Sequence, residues 1–170
     1  MPTTLDIKEP GLNVLPPGVE RHTVNMGGLT GLQIFPDDQI EIINEEGNQI
    51  CEIICFDKNG KSELGILSLK ENIKKSFIKE ILNNNDESSL ITKLQLKKRN
   101  LNINNSKSSI VFDKDTPSGE KIKLKSKDKC YVIFSAPKNE MLISDQNPSG
   151  DLKIFIKVSV QFHLMQFNKI

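Results

Sequence analysis

The sequence predicts a mainly β protein with a helical insert, an α+β chain built on a β-barrel or sandwich. Three observations carry that expectation. Short runs rich in Ile, Val and Phe recur at both ends of the chain, as β-branched and aromatic residues do in strands. Between residues 70 and 98 the apolar spacing changes to a helical one. Clusters of Pro, Gly and Asn punctuate the runs, which is turn chemistry.

Residues 1–29 contain Pro10-Gly11, Pro16-Pro17-Gly18 and Gly27-Gly28 and read as an extended entry arm, with Leu12 to Leu15 a candidate short strand. Gly31 to Phe35, Gln39 to Ile43 and Gln49 to Phe56 read as strands. Asn59-Gly60 between apolar runs signals a hairpin, with Leu64 to Leu69 as its return strand, so residues 31–69 read as a four-stranded meander. Ile73, Phe77, Ile78, Ile81 and Leu82 then predict a helix over 70–83, stopped by Asn83-Asn84-Asn85. Ser88 to Lys98 fits a second helix or a strand and is read as a short helix. Asn100 to Ser109 reads as a loop. Further strands are expected at Ser109 to Phe112, Lys121 to Lys125, Lys129 to Ser135, Glu140 to Ser144 and Leu152 to Val160. The expected organisation is the arm over 1–29, a β-rich domain over 30–157 with its helical insert around 70–98, and an atypical tail over 158–170.

The composition narrows the class. Lys plus Arg is 23 against 22 Asp plus Glu, a net charge of +1, which argues against a dedicated nucleic-acid binder. Charge is unevenly spread: the first 60 residues carry a balance of −7 and residues 61–129 a balance of +7. Ile and Lys stand at 21 each and Asn at 16, against one Ala and two Arg, the bias of A/T-rich codons. No apolar run approaches the ~18 residues of a membrane span. Three cysteines without an export signal lead us to expect free thiols in a reducing, cytoplasmic setting.

Each candidate chemistry competes with a plainer reading. Cys51 and Cys55 on a strand lie roughly 13 Å apart, too far to share a zinc, and read with Cys130 as buried small hydrophobes. His22 and His163 have no local catalytic signature. Gly60-Lys61-Ser62 lacks the earlier glycine of a phosphate loop, and Asp57 to Gly60 lacks the flanking acids of a calcium loop. Asp37, Asp38, Glu41, Glu45, Glu46 and Glu52 form an acidic set that reads first as a solvated strand edge and turn; within it Asp37, Asp38 and Glu46, together with Gln49, are the candidate ligand-binding residues near a barrel mouth. Lys121, Lys123, Lys125, Lys127 and Lys129 read as an edge strand protected by lysines.

Two stretches carry a resemblance. The first holds Pro16-Pro17-Gly18, Asp38-Gln39-Ile40-Glu41-Ile42 and Glu46-Gly47-Asn48-Gln49, followed by the strand to Phe56-Asp57. It resembles the urea-carboxylase-associated domain family. The second holds Ser135-Ala136-Pro137, Met141, Asp145-Gln146-Asn147-Pro148 and Asp151-Leu152-Lys153-Ile154. It is similar to the segment that closes the N-terminal β domain of folate-dependent demethylases related to the glycine-cleavage T-protein, an aminomethyltransferase. The resemblance implies a non-catalytic domain that assembles with, or channels substrate to, an aminomethyltransferase-like domain or subunit. Tetrahydrofolate is implied for that partner, and no cofactor, metal or catalytic residue for this chain. Either a truncated N-terminal piece or a free-standing accessory subunit fits, and a homo-oligomer is open. The alternatives are a stand-alone small-molecule binding module, and an enzyme using Cys51, Cys55 or Cys130.

Overall fold

Residues 18–138 and 150–158 are described by the structure, a computed structural model. Among them eight strands form two antiparallel four-stranded sheets: β1 (Val19–Val24), β2 (Leu29–Ile34), β3 (Gln39–Asn44), β4 (Cys51–Asp57), β5 (Ser108–Phe112), β6 (Glu120–Lys125), β7 (Cys130–Ser135) and β8 (Leu152–Lys157). One sheet has the order β1-β8-β3-β6 and the other β2-β7-β4-β5. These interleaved orders are those of a jelly roll, two Greek keys folded into a double sheet, so the architecture is a sandwich rather than a closed barrel. Between β4 and β5 lie 3-10 turns at Leu64–Leu67 and Ile103–Asn105 and two helices, α1 (Phe77–Ile81) and α2 (Glu87–Lys98).

The alternation of side chains explains why β4 and β7 read as continuous apolar runs. Cys51, Ile53 and Cys55 of β4, with Cys130, Val132 and Phe134 of β7, face the inter-sheet core beside Ile40, Ile42, Leu152 and Ile154. Ile54, Phe56, Tyr131 and Ile133 face the other way and pack under Ile78, Ile81, Leu82 and Leu96 of the helical layer. Both strands are thus buried on both faces, in a three-layer arrangement of sheet, sheet and helices. At roughly 1.5–3 kcal/mol per fully buried large aliphatic or aromatic side chain, this double burial dominates the favourable side of folding.

The structure corrects several local expectations. Residues 31–69 are not a meander: β2 pairs with β7, β3 with β6 and β8, and β4 with β5 and β7, so consecutive strands alternate between sheets. The tight turn after β4 exists, with Gly60 N donating to Asp57 O and an isolated bridge between Phe56 and Ser62. Its return strand does not, because Leu64, Ile66 and Leu67 are all buried and no alternation survives. The helix expected over 70–83 shrinks to five residues, since Ile73 bridges to Ser108 and Ser76 caps the helix by accepting from Lys79 N. The second segment is helical, over twelve residues. β1 lies within the stretch expected to be an arm and pairs with β8 along its whole length. The lysine-rich β6 is an edge strand, as expected. Leu12 to Leu15, Glu140 to Ser144 and the tail beyond Val158 lie outside the described residues.

Candidate functional site

A groove of about 930 Å3 lies between the β1–β2 turn and the helical layer. Turn chemistry builds one wall. Gly27 adopts φ +83°, and its N–H donates to Ala136 O at 2.5 Å, while Ala136 N donates to Gly28 O. Met26 N donates to Asp151 Oδ1, which ties the turn to the start of β8. The opposite wall is the first turn of α2. Ser88 Oγ accepts from Leu29 N at 3.3 Å and donates to Asp86 Oδ2 at 2.8 Å, so one hydroxyl joins the start of β2 to the residue before the helix. Hydrogen bonds from Ser89 and Ser88 hold the Asp86 carboxyl below the usual carboxylate range. Lys138 closes the rim, opposite Asp86 and Glu87. The groove can therefore take a molecule with both apolar and hydrogen-bonding parts.

The candidate binding residues read from the sequence do not form one cluster. Asp37 and Asp38 sit in the β2–β3 turn, Glu46 and Gln49 in the β3–β4 connection. The six residues of β3 between them span roughly 20 Å. Asp37 is exposed, at φ +68°, and pairs with Lys125 at 3.8 Å. Asp38 is buried, and its Oδ2 accepts from Phe35 N, which stitches the turn. Glu46 is exposed and lies against Gly150. Gln49 is fully buried, and its Nε2 donates to Ile50 O and Pro137 O at 2.8 Å each. Among the described residues, Asn44 Oδ1 and Gln49 Oε1 at that end are buried without a hydrogen-bond partner.

The acidic set is not all solvated surface. Glu52 is fully buried on the face of β4 turned to the helices. Its carboxylate accepts from Ser76 Oγ at 2.5 Å, Ser108 Oγ at 2.8 Å, Phe77 N at 2.6 Å and Ile78 N at 3.3 Å. These four bonds bolt α1 and β5 to the sheet. The alternation around Glu52 in Cys-Glu-Ile-Ile placed it opposite Cys51 and Ile53, which is the signal that could have found it.

The thiols offer no accessible nucleophile. All three are free and buried. Burial, then the neighbouring Glu52, pushes Cys51 up. A hydrogen bond shared with Cys130, then burial, pushes Cys55 up, while the same bond holds Cys130 down. His22, on the edge strand β1, lies 3.3 Å from Glu20, and His163 is outside the described residues. Among the described residues no group of three His, Cys, Asp or Glu could hold a metal.

The surface feature that periodicity missed is on α2. The helix buries Ser89, Thr92 and Leu96 and exposes three large aliphatics: Leu90 (47%), Ile91 (51%) and Leu94 (66%). Its polarity is inverted. The buried hydroxyls are satisfied by backbone, Ser89 Oγ donating to Ile81 O and Thr92 Oγ1 to Ser88 O. Small hydroxyl residues let the helix approach the sheet closely, and no solvent requirement explains the leucines outside.

Fold and groove together define a jelly-roll module carrying a helical layer, an architecture that hosts many unrelated functions. No family model matches the chain. It is 30% identical over 154 residues to the trimethylamine-oxide aldolase of Ruegeria pomeroyi, a match covering 91% of this chain and 20% of that protein. The chain thus spans about a fifth of the length of the curated relative it matches, and corresponds to a domain-sized portion of it. No helix among the described residues is long and apolar enough to cross a membrane.

Proposed function

We propose that this chain is a non-catalytic jelly-roll module that assembles with an aminomethyltransferase-like enzyme acting on methylated amines, positioning or channelling substrate for it. One observation carries the reading: nearly the whole chain matches only a fifth of an enzyme named for trimethylamine oxide. The buried thiols are in keeping with a module that leaves chemistry to its neighbour. On this reading the module is of the urea-carboxylase-associated type, tetrahydrofolate is bound by the partner, and the site of action is the cytoplasm. The test mixes the purified chain with the relative's remaining four-fifths, expressed separately. A complex of fixed stoichiometry by light scattering, with turnover of trimethylamine oxide raised over the remainder alone, is the expected result. A folded chain that neither binds nor changes turnover would overturn it.

The groove favours a second reading, a stand-alone binding module for a small molecule. Trimethylamine oxide is also a general stabilising osmolyte, so a thermal shift alone is no evidence of a site. A saturable shift at low millimolar concentration, abolished in Asp86→Asn, would select this reading.

A further inference from the structure

We propose that the outward face of α2 docks onto the same face of a second copy of this chain, antiparallel and about a two-fold axis. The proposal goes beyond the assembly reading and does not depend on it. The apolar centre is Leu90 and Leu94, with Ile91 alongside, all about half exposed or more. Glu87, Leu90, Leu94 and Lys97 are spaced three, four and three apart, which lines them up along one side of a helix. That seam is acidic at its first turn and basic at its last, where Lys97 and Lys98 stand.

The order of charges selects the occupant. Laid antiparallel on itself, the seam sets Leu90 against Leu94 of the second copy, and Glu87 against Lys97 of the second copy. The two-fold repeats both contacts, so the dimer holds two Glu87–Lys97 contacts, one at each end of the helix pair. A parallel arrangement would set Lys97 and Lys98 against their own kind. The inverted polarity of α2 fits such a contact: the side a monomer would keep polar is the side that carries the leucines. Helices packed this way cross at about 20°. Twelve residues make a contact only about 18 Å long. Such a contact falls at or below the small end of stable interfaces, so the dimer is weak and forms with rising concentration.

The experiment is sedimentation velocity of the full chain across a concentration series, with thermal unfolding of each variant as the folding control. The wild type is expected to pass from monomer to dimer. Leu94→Glu should weaken the dimer at least about tenfold without changing the unfolding curve, since that side chain is two-thirds exposed. Glu87→Lys should weaken it too, and Glu87→Lys combined with Lys97→Glu should restore it, because both symmetric contacts are exchanged together. A wild type that stays monomeric at every concentration overturns the proposal. So does a dimer indifferent to Leu94→Glu, which sits on another surface, and so does a double variant no tighter than Glu87→Lys. A monomer whose α2 face becomes protected only when the aldolase remainder is added gives the face to that partner and overturns self-docking.

Discussion

Replacing Glu52 by alanine tests whether the helical layer is held by one buried carboxylate. Four donors converge on it, two serine hydroxyls and the amides of Phe77 and Ile78. A hydrogen bond to a charged group contributes about 1.5–3 kcal/mol, and a buried donor left unpaired costs about 1–3 kcal/mol. The hydroxyls of Ser76 and Ser108 can turn toward each other, 3.5 Å apart, so only part of the loss persists. We expect Glu52→Ala to cost about 3–5 kcal/mol, a large share of the ~5–15 kcal/mol of an ordinary domain. At roughly 2–4 °C per kcal/mol for a chain of this size, the melting temperature should fall by about 10 °C. Glu52→Gln keeps the shape and one acceptor oxygen and should cost about 1–2 kcal/mol. Glu41→Gln, which removes a surface pair with Lys123 at 3.8 Å, should cost under about 0.5 kcal/mol and serves as the control. The assay is urea unfolding followed by far-ultraviolet circular dichroism, with amide exchange at Phe77 and Ile78 as a local readout. A loss below about 1 kcal/mol for Glu52→Ala would refute the claim that this carboxylate fastens the layers.

Tyr131 is the chain's only tyrosine and there is no tryptophan, so its absorbance at 295 nm titrates alone. Burial raises its pKa despite Arg99 stacked 4.6 Å over the ring, so the native midpoint should lie above the ~10 of free tyrosine. Because the folded value is raised, its contribution to stability is fully present below about pH 10 and is lost as the pH rises through the folded value; a native midpoint at or below 10 contradicts this. In native protein no thiol should react with a disulfide reagent faster than global unfolding, whereas all three should react in guanidinium; one fast native thiol would reopen cysteine chemistry. Gly47 is buried at φ +78°, and a Cβ there would stand 2.7 Å from Ser118 N, so Gly47→Ala should lose about 2–3 kcal/mol in the same urea assay, and a loss under about 0.5 kcal/mol would show that the turn yields.

The strands were legible because their residues speak locally. Gln39 to Asn44, Glu120 to Lys125 and Cys130 to Ser135 were each readable within a residue or two from β-branched content and turn residues alone. Their partners were not. β1 pairs with β8 from the far end of the chain, and nothing in Val-Glu-Arg-His-Thr-Val announces a strand that lies in the other half of the sequence. Adjacent Ile-rich runs suggested a meander because neighbours in sequence are the usual partners, whereas here β2, β3 and β4 alternate between the two sheets. Gly47 takes the positive φ that the β3–β4 turn requires and that glycine allows. The binding candidates were read from their polar residue types and their place in turns. Asp37 with Asp38 and Glu46 with Gln49 look like neighbours on paper, but a strand of six residues separates them in space. α2 was missed as a surface because its two stripes, leucines outside and hydroxyls inside, blur the period that usually reveals which side is buried.

The pairing of β1 with β8 has an architectural consequence. Val158 N donates to Gly18 O at 2.7 Å, so backbone enters and leaves the jelly roll through one doorway. A sandwich with its two ends side by side can be spliced between residues of another protein, or hung from its end, without rethreading a strand. That doorway lies at the end of β1 opposite the groove's turn at Met26 and Gly27. Such a module can be exchanged between free-standing and embedded lives by moving a splice point rather than by redesigning a core.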